Sequence, residues 1–169
     1  MSKLAHSRSD VVLSNELENQ TNLVVLKATQ YLARREYAYY ELFDKLRRAG
    51  FDSAVVTDVL ENLKKSNLQS DNRYVKDVIT SKMRKGYGPN HIYIKINQFK
   101  INKELVSEIL EAENIDWHEL LKKVHAKKYR DNRIDNNLEK QKRIQFLLYR
   151  GFTHDQIHYF FKTLPNERQ

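Results

Sequence analysis

Apolar residues follow a helical pattern along this chain, and the pattern recurs as a block. In the first block they stand at Leu42, Leu46, Phe51, Val55, Val56, Val59 and Leu60. The same pattern returns, displaced by 50 residues, at Ile92, Ile96, Ile101, Leu105, Val106, Ile109 and Leu110. Spacings of three and four residues predict amphipathic helices. Recurrence at a fixed distance predicts a repeat protein.

A third copy of the pattern lies 101 residues after the first. Gly50 and Phe51 match Gly151 and Phe152, and the apolar positions that follow them also correspond. The match is weaker at Arg143, because the first two copies have apolar residues at that position. The sequence therefore predicts three similar units of about 50 residues each.

Turn and capping residues support helices within each unit. Gly50 and Gly151 follow helical stretches, where a residue in the left-handed conformation often ends a helix. Asp52 and Thr153 come next and are suited to cap the helix that follows. Pro89 suits the first turn of a helix in the middle unit. Each unit is predicted to contain a preliminary helix followed by a helical hairpin.

One segment gives conflicting signals. Residues 92–96 read Ile-Tyr-Ile-Lys-Ile, an alternation that is typical of a strand. The corresponding segment of the first unit, residues 42–46, has a clear helical pattern. We predict a helix at 92–96, because the repeat relates the two segments.

The predicted fold is therefore all-α, an elongated and curved array of three tandem three-helix repeats. Such units bury little surface alone and pack mainly on their neighbours. We expect a polar N-terminal tail over residues 1–22. The three repeats are expected over residues 23–70, 71–115 and 116–165.

Composition narrows the class of protein. The chain has 169 residues, enough for one domain or a few small modules. Its 4 Gly and 2 Pro are too few for a sandwich or a barrel, and the absence of Cys excludes disulfides and thiolate zinc sites. No apolar run approaches the roughly 18 residues of a membrane span, and no signal peptide is evident. We expect a soluble, cytoplasmic protein that does not bind membranes.

Charge is unevenly distributed along the chain. The formal net charge is +8. Residues 101–121 contain six acidic residues and one basic residue, whereas residues 122–150 contain ten basic and three acidic residues. A net charge of −5 is thus followed directly by one of +7. A concentrated basic surface attracts polyanions and acidic protein surfaces in a salt-dependent way.

The sequence indicates neither catalysis nor a cofactor. Residues 86–88 lack the spacing and the flanking strand of a phosphate-binding loop, so we predict a connector there. His154 and His158 are four residues apart, but no third metal ligand accompanies them. We predict no enzyme activity, no metal, no cofactor and no small-molecule substrate.

Several short motifs, in order and at the right distances, resemble the RecX regulatory protein family over about residues 23–162. In the first unit they are Tyr31 to Tyr37, Glu41-Leu42, Leu46 and Gly50-Phe51. In the second they are Asp71 to Val75, Arg84 to Pro89, and Ile92. In the third they are Ile115 to Trp117, Lys128-Tyr129, Glu139 to Arg143, and Phe146 to Phe152. Ala38 and Tyr39 depart from the family pattern, which predicts a weaker helix cap there.

The resemblance implies a regulator of the RecA recombinase. Members of this family consist of tandem three-helix repeats and dock in the helical groove of the RecA–DNA filament. They inhibit the ATPase, strand exchange and co-protease activities of RecA, and so modulate recombination, DNA repair and the SOS response. They are not enzymes. The expected partners are the RecA filament and, as a further candidate, single- or double-stranded DNA.

Charge clustering alone selects the residues that we expect to face the filament. They are Arg84, Lys85, Lys95, Lys122, Lys123, Lys127, Lys128, Arg130, Lys142, Arg143 and Arg150. Tyr129 lies among them, and either stacks on a base or packs against its neighbours.

Two other functions compete with this hypothesis. One is sequence-nonspecific binding of DNA or RNA without RecA, which the sequence pI near 9.5 would suit. The other is an adaptor whose acidic face at 104–119 captures a basic partner. Bare-DNA binding tests the first alternative, and partner capture without DNA tests the second.

Overall fold

The computed structural model describes residues 3–130, 134 and 136–164, with side chains from residue 11 onward, and these residues form nine helices and no strand. The helices are α1 (Lys3–Leu32), α2 (Tyr39–Arg48), α3 (Ser53–Lys65), α4 (Asp71–Arg84), α5 (Pro89–Asn97), α6 (Lys103–Ala112), α7 (Trp117–Lys128), α8 (Asn137–Tyr149) and α9 (His154–Thr163). The all-α prediction is confirmed.

The helices keep the register of the sequence repeat. Helices α2 and α5 begin at Tyr39 and Pro89, which are 50 residues apart. Helices α3, α6 and α9 begin at Ser53, Lys103 and His154, at offsets of 50 and 101 residues from the first. Residues 92–96 lie within α5, so the helix predicted there is confirmed and the local strand signal is overruled.

The turn inside each hairpin has the same backbone conformation. Gly50, Lys100 and Gly151 occupy equivalent positions, with φ of 93°, 52° and 85°. A left-handed residue at this point ends one helix and lets the chain start the next. Lys100 adopts this conformation although it carries a Cβ, which costs free energy. The hairpin packing therefore imposes the turn, and glycine only makes it easier to form.

Helix caps follow the sequence prediction. The Asp52 carboxylate accepts a hydrogen bond from the backbone N of Ala54 at 2.8 Å at the start of α3. Thr153 and Gln156 form the reciprocal capping box at the start of α9. Asn102, which was not predicted as a cap, accepts a hydrogen bond from the backbone N of Glu104 at 2.7 Å at the start of α6. These bonds satisfy backbone N–H groups that would otherwise lack partners.

The weak cap predicted at Ala38 is compensated from elsewhere in the chain. Ala38 provides no side-chain hydrogen bond to α2. The backbone N of Tyr39 donates instead to Oδ1 of Asp71 at 2.8 Å. Gln69, which is buried, donates to the same oxygen at 2.9 Å and to the carbonyl oxygen of Tyr37 at 3.1 Å. A tertiary contact thus replaces the missing local cap.

The chain divides into two compact units, one ending at Tyr74 and the other beginning at Val75. In the first unit, α1, α2 and α3 pack against one another. Its buried core consists of Val24, Ala28, Tyr37, Leu42, Leu46, Val55, Val56, Val59, Leu60 and Leu63. In the second unit, α7, α8 and α9 pack together around Leu121, Leu147, Phe152, Ile157 and Phe160.

Helix α1 begins well before the first core residue. Residues 3–22, predicted as a polar tail, form its N-terminal part, and the side chains of residues 11–19 are all exposed. The helix enters the core at Val24 and Ala28. None of the described helices combines the length and the apolar content needed to cross a membrane.

Candidate functional site

Basic side chains surround a groove of about 520 Å³ in the second unit. It lies between the end of α4, one face of α7 and the last turn of α8. The cations that line it are Arg84, Lys85, Lys123, Lys127, Lys128 and Arg150. The remaining lining residues are Met83, Gly86, Leu120, Val124 and Phe146. None of the described residues that line the groove is a carboxylate, so the formal charge that they contribute is wholly positive.

Helical periodicity places the α7 residues in the groove. Leu121 and His125 are buried and face the interior of the unit. Leu120, Val124 and Lys127 are spaced four and three residues apart, so they share another face of the helix. This face therefore presents apolar side chains beside lysines.

Gly86 allows the end of α4 to approach α7. Its φ is +74°, and a Cβ placed on it would lie 2.8 Å from Cγ2 of Val124. Glycine is thus required twice, for the backbone conformation and for the close contact. On the other side, Nη1 of Arg150 donates to the carbonyl oxygen of Lys85 at 3.0 Å. These two contacts hold the groove walls together.

Two of the sequence motifs, Arg84 to Pro89 and Phe146 to Phe152, are in direct contact. The backbone N of Gly88 donates to the carbonyl oxygen of Arg150 at 2.8 Å, and that of Asn90 donates to Gly151 at 3.0 Å. A Cβ on Gly88 would lie 2.5 Å from the oxygen of Gly151, and a Cβ on Gly151 would lie 2.8 Å from the backbone N of His91. The residues around 86–90 and 150–152 therefore form one structure beside the groove.

The positive charge also affects a neighbouring lysine. Burial lowers the pKa of Lys82, and the nearby charges of Lys85 and Lys95 lower it further. Lys82 lies with its Nζ 4.8 Å from the centre of the Tyr87 ring. Lys82, Lys85 and Lys95 therefore lie close enough for their charges to interact, although burial is the larger cause of the shift.

The structure brings together six of the eleven residues predicted to bind. Four others lie outside the lining of the groove. Lys122 pairs with Glu119 at 2.7 Å, and this hydrogen bond raises the pKa of Lys122. Lys95 lies with its Nζ 5.0 Å from the centre of the Phe99 ring, and Arg130 and Lys142 are exposed.

Arg143 lies in the interior of the unit, contrary to its expected place on the binding surface. Its side chain is only 7% exposed, and its Nε contacts Glu139 at 2.9 Å. Its Nη1 lies 3.4 Å from Nε2 of His125, and its guanidinium lies 4.7 Å from the centre of the Tyr129 ring. The sequence repeat could have predicted this burial, because the equivalent positions hold the apolar residues Leu42 and Ile92, which are buried. Arg143 is therefore a packing residue.

Tyr129 is packed against its neighbours. Its ring centre lies 5.1 Å from that of His125 and 5.8 Å from that of Phe146. Burial lowers the pKa of His125, and the charge of the adjacent Arg143 lowers it further, to about 4. This imidazole is therefore neutral near pH 7. These aromatic and basic groups connect α7 to α8 beneath the groove.

Sequence reasoning missed the apolar floor of the groove. Met83, Leu120, Val124 and Phe146 have the spacing of ordinary core residues on amphipathic helices. Nothing in the local pattern distinguishes an apolar side chain at the edge of a core from one that lines a groove. Only the arrangement of α4, α7 and α8 reveals it.

The family models that match this chain, and several known proteins that it resembles, belong to the RecX family. Family models described as RecX, first three-helix domain and RecX, third three-helix domain match residues 26–63 and 115–161. The regulatory protein RecX of Legionella pneumophila is 35% identical over 82% of this chain and 93% of its own length. The RecX of Vibrio parahaemolyticus is 32% identical over 78% of this chain and 85% of its own length.

Solved structures show the same fold. The crystal structure of RecX from Lactobacillus salivarius matches with a TM-score of 0.73 at 20% identity, over 87% of this chain and 97% of that one. A second crystal structure of a regulatory protein RecX matches with a TM-score of 0.75 at 20% identity, over 91% of this chain and 77% of the other. The motifs, the helical repeats and these relatives agree, and the chain belongs to the RecX family of regulatory proteins.

Proposed function

We propose that this protein binds the RecA–DNA filament in the cytoplasm and inhibits the ATPase, strand exchange and co-protease activities of RecA. It would thereby modulate recombination, DNA repair and the SOS response. The proposal rests on membership in the RecX family together with one structural observation. That observation is the groove of the second unit, whose lining, among the residues that the structure describes, contains six cations and no carboxylate.

The charges of these six cations are available to an external partner. In the part of the chain that the structure describes, no carboxylate lies within ion-pair distance of any of them. Lys122 differs, because Glu119 pairs with it. Unpaired cations in a concave surface raise the local concentration of an anionic partner and speed association, and salt weakens both effects. A protein filament that carries DNA contains an anionic component of this kind.

The first test is inhibition of the single-strand-DNA-dependent ATPase of RecA during titration with this protein. We expect inhibition at protein levels too low to coat the DNA. The charge-reversal variant Lys123→Glu with Lys127→Glu should require at least about tenfold more protein, because two attractive charges become repulsive.

The matched control is Lys140→Glu with Lys142→Glu, which makes the same charge change on α8 at residues that do not line the groove. This variant should inhibit within about twofold of the wild type, since exposed charges outside a contact mainly alter long-range attraction. Equal inhibition by both variants would contradict the role of the groove. Inhibition that begins only when the DNA is saturated would contradict filament regulation itself.

The same groove also favours a second candidate function, nonspecific nucleic-acid binding without RecA. This function predicts that affinity for bare DNA falls steeply with salt. On duplex DNA, a plot of the logarithm of the binding constant against the logarithm of the salt concentration should have a slope of about −0.9 for each phosphate neutralised. Bare-DNA binding at the salt concentration of the ATPase assay separates the two. Binding tight enough to account for the inhibition would favour this second function.

A further inference from the structure

We propose that the groove binds a peptide segment of the partner protein that combines acidic side chains with an apolar one, and that nucleic acid is not its ligand. This inference rests on the proposed function and specifies what the groove recognises. It follows from three features of the groove, which are its charged rim, its apolar floor and the state of its aromatic rings.

The rim selects anions but does not by itself distinguish a carboxylate from a phosphate. Lys123 and Lys127 line one side from α7, and Arg84 and Lys85 come from the end of α4. Arg150 is held by its bond to the Lys85 carbonyl oxygen. A guanidinium held in place binds planar anions such as carboxylates with good geometry.

The floor favours a peptide. Met83, Leu120, Val124 and Phe146 present apolar atoms between the cations. A sugar–phosphate backbone gains nothing from such a surface, whereas an aliphatic or aromatic side chain gains free energy by leaving water there. The volume of about 520 Å³ lies in the range of pockets that enclose a compact ligand or a few side chains.

The aromatic rings beside the groove are already in contact with other side chains. Phe146 has Nζ of Lys128 at 3.9 Å from its ring centre, and the ring of Tyr129 lies at 82° to it with the two centres 5.8 Å apart. The ring of Tyr87 lies 4.3 Å from that of His91 and 5.2 Å from the guanidinium of Arg150. Single-stranded nucleic acid is held largely by bases stacked on free aromatic faces. These rings do not offer such a platform.

The experiment measures fluorescence anisotropy with this protein alone, at one salt concentration, with three labelled probes. The first is a short acidic peptide with a central Leu-Phe pair. The second is the same peptide with Ser at both central positions, and the third is an oligothymidylate with the same number of negative charges. We expect the Leu-Phe peptide to bind about tenfold more tightly than each of the others, which corresponds to the burial of one aliphatic side chain.

Variants identify the groove as the binding site. Lys123→Gln with Lys127→Gln should weaken the binding of both acidic peptides, and Lys140→Gln with Lys142→Gln should leave both affinities unchanged. Met83→Ser should weaken only the Leu-Phe peptide, and Met83→Leu should restore its binding. Met83 is half-buried and lies outside the core of α7–α9, so these substitutions should leave the fold intact.

Two results would overturn the inference. One is equal affinity for the two peptides, which would leave the apolar floor without a role. The other is tighter, groove-dependent binding of the oligothymidylate, which would make nucleic acid the ligand. Neither result bears on the ATPase test, because RecA is absent here, so the failure of this inference and the failure of the proposed function are distinguishable.

Discussion

The first and third three-helix domains, α1–α3 and α7–α9, share one register but differ in what they bury. The helix caps Asp52 and Thr153 correspond, and so do the left-handed turn residues Gly50 and Gly151, all at an offset of 101 residues. The turn between the two hairpin helices and the cap of the second helix therefore correspond in the two domains.

Their interiors differ at two equivalent positions. The first domain buries Val24 and Leu42, both with 0% exposure. The third domain buries His125 and Arg143 at the same offset, with 1% and 5% exposure. Position in the repeat thus determines burial, even where the residue type would ordinarily be exposed.

The third domain tolerates a buried arginine because it supplies partners. Helix α8 begins at Asn137, whereas the position equivalent to the start of α2 is Lys140, so α8 has an additional turn at its N-terminus. That turn carries Glu139, which pairs with Arg143. The equivalent residue in the first domain is Ala38. A buried charge without such a partner is strongly destabilising.

An arginine introduced into the core of the first domain should cause the largest loss of stability. Leu42→Arg places a guanidinium in the core of the first domain, where Ala38 stands at the position of Glu139 and offers no carboxylate. We expect this substitution to lower the free energy of unfolding by about 4 kcal/mol. Urea unfolding followed by circular dichroism measures this. The control Leu42→Met should cost less than about 1.5 kcal/mol. A small loss for both variants would mean that the first domain accommodates a charge as the third does.

Acid should destabilise the third domain specifically. The pKa of His125 is about 4 in the folded protein and 6.5 when unperturbed, so the unfolded chain binds the proton more tightly. Above pH 6.5, His125 is neutral in both states and does not lower the free energy of unfolding. As the pH falls from 6.5 towards 4, the unfolded chain takes up a proton that the folded protein does not, and the free energy of unfolding decreases by up to about 3 kcal/mol.

The fluorescence of Trp117, the single tryptophan, reports this unfolding from within α7. His125→Gln removes the titrating group and should lack this increment of pH dependence. Parallel stability curves for the wild type and His125→Gln between pH 6.5 and 4 would refute the assignment. The first domain, which buries Val24 at the equivalent position, has no counterpart to this effect.

The equivalent turn glycines should respond unequally, and this is the smallest expected difference. Gly50→Ala places a Cβ with nothing within 4 Å of it, so it should cost about 1 kcal/mol from the left-handed backbone alone. Gly151→Ala places a Cβ 2.8 Å from the backbone N of His91, which should add about 2 kcal/mol. Urea unfolding measures both variants. Equal losses would mean that the turn at Gly151 can move away from α5 at no cost.

Part of the candidate site was predictable, and the limit has a physical cause. Charge clustering identified six cations that line the groove, because lysines and arginines on one face of a helix are visible as spacing. The same criterion misplaced Arg143. It was selected for its charge, although its position in the repeat corresponds to buried residues in the other two units. The apolar floor was not predictable at all, because Val124 or Phe146 has the pattern of a core residue.

The sequence by itself determined the helices, their caps, the turn positions and the repeat, because each depends on residues a few positions apart or on a recurring apolar pattern. Tertiary structure alone decided the groove, because its walls come from residues 83–86, 120–128 and 146–150. Their approach depends on contacts between distant backbones, at Gly86 against Val124 and at Gly88 against Gly151. Local spacing carries no information about such contacts, since they form only when the helices pack.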